Sequence, residues 1–303
     1  MSLRELKGRH LKLVSFYSSL YAVRGGTGLV FVVITLIFGL TVANFVIKPV
    51  EDLQRESQEH ILEAIVSQAR PLVVRALGGS VDASVPSEDG SREETERWAA
   101  FVLDERPALL SAVLLVLIFG LPFMVTMGAF NQLSGDVQSR GLRYQLVHTA
   151  RANIFFGRFV GVAVINALGM VLLMGTIVLY VGFKIHVYEW TALLGWSLRG
   201  LLAIAVISLP YIALCSWISA SIDSPFASLT VSQLVIGFVP LFSFIGRNTW
   251  KPLAYVNYAL PWGIQNDLLH PDASRVTVGT LGCLAYTAAF LFLGYRHFKK
   301  RDL

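Results

Sequence analysis

The sequence predicts an all-α, polytopic membrane protein. Of its 303 residues, 54% are hydrophobic and only 15% are charged, and the mean hydropathy is +0.61. Soluble chains contain about 25% charged residues, so much of this surface faces a medium other than water. The charges also gather in a few segments, and long apolar stretches separate those segments. Lipid is the medium that such stretches require.

Six apolar stretches are long enough to cross a bilayer, because a helix needs about 20 apolar residues to span a core of about 30 Å. We place these spans at 27–49, 108–130, 159–183, 200–222, 226–246 and 277–296. The first is too long for the apolar core of a signal peptide and lacks a convincing small-residue cleavage site, so we expect it to be retained as an anchor. The chain is thus predicted to form one transmembrane domain, 1–303.

Lys and Arg residues in the short connections orient the chain. They are most frequent before the first span, between the second and third spans, and after the sixth span. Since such residues favour the cytoplasmic side, both termini are predicted to be cytoplasmic. The same topology explains the net charge of +5, because the basic residues lie at the edges of apolar segments. We therefore predict contact with a lipid bilayer and no nucleic-acid partner.

Two further segments have helical patterns outside the spans. Residues 2–24 combine apolar and basic residues at helical spacing, which is typical of an amphipathic helix lying on the inner leaflet. Residues 51–107 contain two helical patterns joined by a polar linker, and Ser91 with Glu94 forms a capping box for the second helix. We expect a helical hairpin on the outer side, which either docks an extracytoplasmic protein or covers the bundle.

The six apolar cores contain no Asp, Glu or His, and Lys or Arg occurs only at their ends. Ionisable groups at membrane depth serve proton-coupled carriers and intramembrane proteases, so both classes are disfavoured. The chain also lacks a Walker A pattern and any clustered Cys/His spacing of a zinc site. We therefore predict no catalytic residue, no metal and no cofactor in this chain. The two cysteines, Cys215 and Cys283, lie within apolar runs and are expected to pack as small core residues.

Polar side chains do occur within the predicted spans. They are Asn44, Thr126, Asn166, Ser208, Ser216, Ser232, Gln233 and Thr287. One interpretation is hydrogen bonding between helices, which holds membrane bundles together. The other is the lining of a conduit for a polar or amphiphilic substrate. A pump of this kind would take its energy from a partner, because the chain has no nucleotide-binding motif of its own.

The second inner connection, 131–158, is too long for a simple turn and is basic. Arg140, Arg143, Arg151 and Arg158 outnumber Asp136. An apolar stripe accompanies these charges, so the segment is expected to contain a helix. That helix either rests on lipid headgroups or docks a cytosolic protein.

The same connection resembles the cytoplasmic loop of ABC transporter permeases of the exporter type-two family. The matching residues are Asp136, Gly141, Leu142, Arg143, Tyr144, Leu146, Arg151, Ile154, Gly157 and Arg158. The family often has a proline where this chain has His148, Thr149 and Ala150. The tail, with Phe298 followed by Arg301-Asp302-Leu303, is similar to the family's ending. Pro261-Trp262-Gly263, in the segment 247–276, resembles the outer re-entrant segment that precedes the family's last span.

This resemblance implies a permease subunit that dimerises with a second copy or a homologue and pairs with two copies of a cytosolic ABC ATPase. The ATPase would bind ATP and Mg²⁺. The residues implied for coupling to it are Asp136, Arg140, Gly141, Arg143, Tyr144, Arg151, Gly157 and Arg158. Pro261, Trp262 and Gly263 are candidates for an outer gate, or else they turn a loop at headgroup level. The implied location is a bacterial inner membrane.

Two other functions remain open from the sequence. In the first, the same architecture passes ATP-driven motion through the outer hairpin to an extracytoplasmic protein, and no substrate crosses the membrane. In the second, the chain is a six-span membrane enzyme. This function is less favoured because the apolar cores contain no Asp, Glu or His.

Overall fold

A computed structural model describes residues 13–17, 27–56, 97–103, 105–184, 188–249 and 255–301. Within these ranges the chain is helical and contains no strand, which confirms the all-α class. Most of the predicted surface helix 2–24 lies outside the described residues, as does most of the predicted hairpin 51–107. Their described parts, 13–17 and 97–103, are helical.

Eight α-helices follow one another in the described chain. They are α1 (Thr27–Glu56), α2 (Ala108–Ala129), α3 (Ser134–Gln138), α4 (Gly141–His148), α5 (Arg151–Lys184), α6 (Trp190–Ser221), α7 (Pro225–Thr249) and α8 (Ala273–Lys300). Three short 3₁₀ helices, Tyr255–Ala259, Pro261–Gly263 and Gln265–Leu269, precede α8. They occupy the part of the sequence in which a re-entrant segment is predicted.

Five helical segments are long and apolar enough to span a membrane. They are Ala108–Gln138, Arg151–Lys184, Trp190–Ser221, Pro225–Ser243 and Ala273–Lys300. The first predicted span, 27–49, lies within α1, whose described apolar stretch Phe31–Phe45 is shorter than these five. The chain therefore has the character of a multi-pass membrane protein.

Several helices extend beyond the predicted spans. α5 begins at Arg151 instead of 159, and α6 begins at Trp190 instead of 200. The apolar run indicates where lipid begins, whereas the helix continues until a residue breaks its backbone pattern. No proline occurs near residue 159 or residue 200, where the predicted spans begin. Nothing in the local sequence therefore ends either helix at the lipid boundary.

α6 lies at the centre of the bundle, where it packs against α2, α5 and α8. α8 approaches it closely at Gly294, where an added Cβ would stand 2.9 Å from the Cα of Trp217. A larger side chain at this position would push the two backbones apart, which is the usual reason for a small residue at a helix crossing in membranes. α2 is also largely buried, whereas much of α7 and α8 faces outward.

The polar side chains within the bundle make hydrogen bonds of two kinds. Gln233 of α7 donates through Nε2 to Thr126 Oγ1 of α2 at 2.6 Å, and Ser216 of α6 donates to Gln132 Oε1 at 2.6 Å. Ser208, Ser232 and Thr287 instead donate to carbonyls of their own helices. The first kind is the interhelical bonding expected of polar groups in lipid.

The helix bundle has two ends, a loop end and a far end. The loop end contains α3 and α4, together with the starts of α5 and α7 and the final residues of α6 and α8. The far end contains residues 97–103 and 105–107 and the starts of α2, α6 and α8, and the three 3₁₀ helices enter the bundle from this end. By the distribution of Lys and Arg, the loop end is predicted to be cytoplasmic.

Candidate functional site

The candidate site at the loop end is built on two short helices, α3 and α4, joined by a tight turn. Arg140 has φ 59° and ψ 10°, and it is the one residue other than glycine with a positive φ in the described chain. A residue in the left-handed conformation commonly ends a helix, and this residue is usually glycine. Here glycine comes one position later, at Gly141, where an added Cβ would make only ordinary contacts. The turn therefore places Arg140 in an uncommon conformation, on the exposed side.

α4 has one buried and one exposed side. Leu142 is 1% exposed and joins a small core at the loop end, which also contains Leu133, Ile154, Phe155, Ala220 and Phe298. Arg143 is exposed, and Tyr144 and Val147 are 79% and 78% exposed. Two large apolar side chains beside a cation thus form an outward face on α4. A helix of eight residues gains little stability by itself, so the core on its other side must hold it.

Arg158 holds α3 to the first turns of α5. Its guanidinium forms an ion pair with Asp136 of α3 and donates to the carbonyl of Gln132 at 2.9 Å. The side chains of Arg158 and Asp136 are 11% and 14% exposed. A guanidinium with several partners has little freedom to turn, so the position of α3 relative to α5 is well defined.

Arg151 holds the end of α8. It donates to the carbonyls of Lys299 and Arg301 at 2.8 and 2.9 Å. The last carbonyls of a helix have no partner within the helix, so a cation there satisfies them and interacts favourably with the helix dipole. Arg151 thereby joins the start of α5 to the final residues of α8.

Arg301 in turn holds the end of α6. It donates to the carbonyl of Ala220 at 2.6 Å and pairs with Asp223. Burial lowers the pKa of the Arg301 guanidinium, but an arginine stays protonated after such a shift. The ends of α6 and α8 are therefore tied by charged groups, and Arg151 links both to α5.

Buried serine and glutamine side chains complete this network. Ser219 Oγ of α6 accepts hydrogen bonds from the backbone amides of Leu133 and Ser134, each at 2.9 Å. Gln132 donates to the carbonyl of Ile212 at 3.2 Å and accepts from Ser216. The amides of Leu133 and Ser134 lie at the start of α3, where a helix lacks internal acceptors. α3 is thus fastened to α6 as well as to α5.

The N-terminal segment 13–17 reaches the same end of the bundle at Gly157. A Cβ at Gly157 would lie 2.7 Å from Cγ1 of Val14 and 3.4 Å from the amide of Ser15. No side chain fits in this space, so glycine permits the close contact. Leu13, Phe16 and Tyr17 are exposed on the other side of the segment. Apolar groups turned outward in this way are compatible with the predicted position on a leaflet.

Seven of the eight predicted coupling residues divide into two groups, and Gly141, half-buried at the start of α4, belongs to neither. Asp136, Arg151, Gly157 and Arg158 make contacts within the chain, whereas Arg140, Arg143 and Tyr144 face outward. Sequence reasoning missed Gln132, Ser219 and Arg301 as members of the network. Arg301 stood in the tail motif, but its partner on α6 is 81 positions away, and no local pattern reveals such a pairing.

The three residues named as outer-gate candidates lie in the segment that enters the bundle from the far end, and Trp262 reaches the middle of α2. Pro261 and Trp262 are buried, and the Trp262 ring lies 5.4 Å from that of Phe119 and 6.1 Å from those of Phe123 and Tyr211. Gly263 lies against Tyr258, whose Cδ1 would be 2.6 Å from an added Cβ. The Trp262 side chain thus lies between α2 and α6 and anchors the 3₁₀ helix Pro261–Gly263 there.

The chain matches none of the family models and none of the curated proteins with which we compared it. In the part of the chain that the structure describes, no group of three His, Cys, Asp or Glu side chains is arranged to hold a metal ion. The proposed function therefore rests on the contacts at the two ends of the bundle.

Proposed function

We propose that this protein is the permease subunit of an ATP-driven complex of the ABC transporter type, of the exporter class. In this proposal α4 is the helix on which a separate cytosolic ATPase docks. The observation that carries it is the outward face of α4. There Tyr144 and Val147 are nearly fully exposed beside Arg143, while the opposite side of the helix is buried.

The composition of this face favours a protein partner. Tyr and Arg are the residues that contribute most to binding at protein interfaces. A helix that merely rested on lipid headgroups would bring more of its apolar surface toward the bilayer. In α4, the buried side instead packs on the ends of α5, α6 and α8 through Leu142 and its small core.

The network around α4 supports a mechanical role. A displacement of α4 by an ATPase can move the membrane helices only if the connection between them is stiff. Arg158 joins α3 to α5, Arg151 joins α5 to α8, and Arg301 joins α8 to α6. α4 connects to these contacts through its turn from α3 and through Leu142 in the small core, so a rigid-body movement of α4 would pass to three long helices.

The partner supplies the chemistry in this proposal. Two copies of a cytosolic ABC ATPase bind ATP and Mg²⁺, and a second permease copy or a homologue completes the pathway. This chain contributes no catalytic residue and no cofactor. We propose a location in a bacterial inner membrane with both termini cytoplasmic, on the basis of the Lys and Arg distribution and the five apolar helices.

The test removes charge from α4 and its turn without harming the fold. Arg140→Gly places glycine where the backbone is left-handed, so we expect it to keep or slightly raise stability while it removes a cation. Combined with Arg143→Glu, it should weaken ATPase binding by about tenfold or more, as loss of interface charge pairs does. The measurement is the affinity for a partner ABC ATPase and the stimulation of its ATP hydrolysis in the reconstituted complex.

Arg275→Glu is the matched control, because Arg275 is an exposed arginine at the far end. It should leave ATPase binding unchanged. Tyr144→Ala with Val147→Ala tests the apolar part of the face separately. The docking role is rejected if the α4 variants fold normally and stimulate the ATPase as the native chain does.

A role for Pro261, Trp262 and Gly263 in an outer gate is part of the same proposal. The support is the position of the Trp262 ring against Phe119, Phe123 and Tyr211, since a buried ring between helices would have to move if a path opened there. A bimane label at position 262 should therefore change its emission between the ATP-bound and nucleotide-free complexes. Constant emission would assign the segment to the simpler role of a turn.

A second function, transmission of motion to an extracytoplasmic protein, is favoured by one observation. α1 continues without a break from Thr27 to Glu56, seven residues past the predicted end of the span, so it would lead stiffly out of the membrane. Deletion of 57–96 should spare export but abolish a mechanical role. A membrane enzyme is the least favoured alternative, and it would require chemistry by the isolated chain without nucleotide.

A further inference from the structure

Four hydrogen-bond donors lie together at the far end of the bundle, on the side opposite to α4. They are the guanidiniums of Arg106 and Arg199 and the indole N–H groups of Trp98 and Trp196. The two indoles are 8% and 3% exposed, and their Nε1 atoms have no acceptor among the described residues. A buried donor without an acceptor is costly, and in native proteins it usually marks a missing water, ion or ligand.

Ring contacts hold these donors in one cluster. The Arg106 guanidinium lies 4.9 Å from the ring centre of Phe101 and 5.5 Å from that of Trp196. Arg199 lies 5.7 and 5.5 Å from the same two rings. Two cations thus share one aromatic pair, so they are close enough to repel each other. An anion between them would remove this repulsion.

His270 extends the cluster toward α8. Arg199 donates to the carbonyl of His270 at 2.6 Å, and the His270 ring lies 5.2 Å from that of Trp98. The described acidic groups nearby are the half-buried Asp267, whose carbonyl accepts from the His270 amide at 3.1 Å, and two exposed residues. Asp272 has an oxygen 3.6 Å from His270 Nδ1, and Glu105 precedes Arg106 in the chain. In the described residues neither Arg106 nor Arg199 makes an ion pair, so the cluster keeps its positive charge.

The helices add to this positive character. α2, α6 and α8 all begin at the far end, at Ala108, Trp190 and Ala273. A helix start carries a partial positive charge from its free N–H groups. The starts of α2 and α8 adjoin Arg106 and His270, so two helix starts, two arginines and two unpaired indole donors meet in one region, whereas α6 begins nine residues before Arg199 and lies farther away.

From this cluster we infer a binding site for the phosphate group of an anionic lipid in the leaflet at the far end. Arg106 and Arg199 would hold the phosphate oxygens, and the indole N–H groups of Trp98 and Trp196 would find acceptors there. Guanidiniums suit phosphate because they donate two parallel hydrogen bonds.

The surface beside the cluster favours a lipid over free phosphate. Leu194, Leu198 and Leu202 recur every four residues on α6 and are 56%, 59% and 60% exposed. α6 runs inward from the far end, so Leu202 lies on the bilayer side of Arg199, whereas Leu194 and Leu198 lie outward of it. Arg199 directly precedes the predicted span 200–222, so a headgroup held there would lie at the membrane surface with an acyl chain beside the exposed Leu202.

The test uses the purified full chain in a zwitterionic detergent and needs no ATPase, so its failure is independent of the proposed permease function. Native mass spectrometry compares retention of phosphatidylglycerol and phosphatidylcholine from an equimolar mixture. We expect preferential retention of phosphatidylglycerol, and a loss of about tenfold in its affinity with Arg106→Gln, an exposed residue whose change should leave the fold intact.

Arg275→Gln removes a cation from the same end and should change retention by less than twofold. Arg199→Lys keeps the charge and distinguishes loss of the phosphate contact from damage at His270, which Arg199→Gln could cause. The inference is overturned if both lipids are retained equally, or if Arg106→Gln and Arg275→Gln have the same effect. It is also overturned if inorganic phosphate at equal concentration displaces the lipid, because the acyl chains would then contribute nothing and the site would bind a free anion.

Discussion

The arginines at the loop end occupy two different structural environments. Arg151, Arg158 and Arg301 donate to backbone carbonyls at distances from 2.6 to 2.9 Å and thereby satisfy groups that helix ends and turns leave unpaired. Arg143 is exposed and makes no such contact with the residues that the structure describes. A basic sequence motif does not distinguish these environments. The contacts show which arginines hold the fold and which face outward.

The ion pair between Arg158 and Asp136 is predicted to stabilise the loop end. Arg158→Met removes a guanidinium that is 11% exposed and leaves the Asp136 carboxylate without its partner. Loss of one member of a buried pair costs about 3 kcal/mol or more, so we expect a decrease of that order in the free energy of unfolding. Unfolding in mixed micelles with increasing dodecyl sulfate measures it.

Arg143→Met is the control for this prediction, because an exposed arginine without a partner should change stability by less than about 0.5 kcal/mol. The double variant Arg158→Met with Asp136→Asn should lose less than the two single changes together, since no charge is then left unpaired. Equal losses for Arg158→Met and Arg143→Met would mean that the pair does not stabilise the loop end.

Among the elements, the contact between the N-terminal segment 13–17 and α5 depends on one glycine. Gly157→Leu would place a side chain where Val14 already lies, 2.7 Å from the Cβ position. Either the segment moves away or the helix shifts, at a cost of about 1–3 kcal/mol for overpacking. We expect the amides of Leu13 to Tyr17 to lose protection from hydrogen exchange, measured by mass spectrometry.

Gly175→Leu is the matched control on the same helix, because no atom lies within 4 Å of its Cβ position. It should leave exchange in residues 13–17 unchanged. If Gly157→Leu also left this exchange unchanged, the segment would not be held at Gly157.

For the molecule as a whole, hydropathy predicted the class and approximate position of the helices, because lipid demands about 20 apolar residues in a row. The predicted bounds of α2 agree with the structure to within one residue at each end. The predicted start of α6 is ten residues too late, because the helix continues beyond the apolar core and includes polar residues such as Arg199. Hydropathy did not predict the loop-end network. The bond from Gln132 to Ile212 joins positions 80 apart, and only tertiary structure brings them together.

The two ends of the molecule should lie on opposite sides of the membrane, and the native chain provides a suitable background for this test. Its two cysteines, Cys215 and Cys283, have no exposed surface, so the native protein should not react with a membrane-impermeant maleimide. Ser139→Cys adds an exposed thiol between α3 and α4, and Asp272→Cys adds one at the start of α8, where the native side chain is 68% exposed.

In intact cells the maleimide should label Asp272→Cys and spare Ser139→Cys, because the positive-inside rule predicts that the loop end is cytoplasmic. After permeabilisation both variants should react, and the native chain should still remain unlabelled. Labelling of Ser139→Cys alone in intact cells would reverse the orientation and place the α4 face out of reach of a cytosolic ATPase. Labelling of both variants in intact cells would mean that the two ends share one side, which is incompatible with helices that cross the bilayer between them.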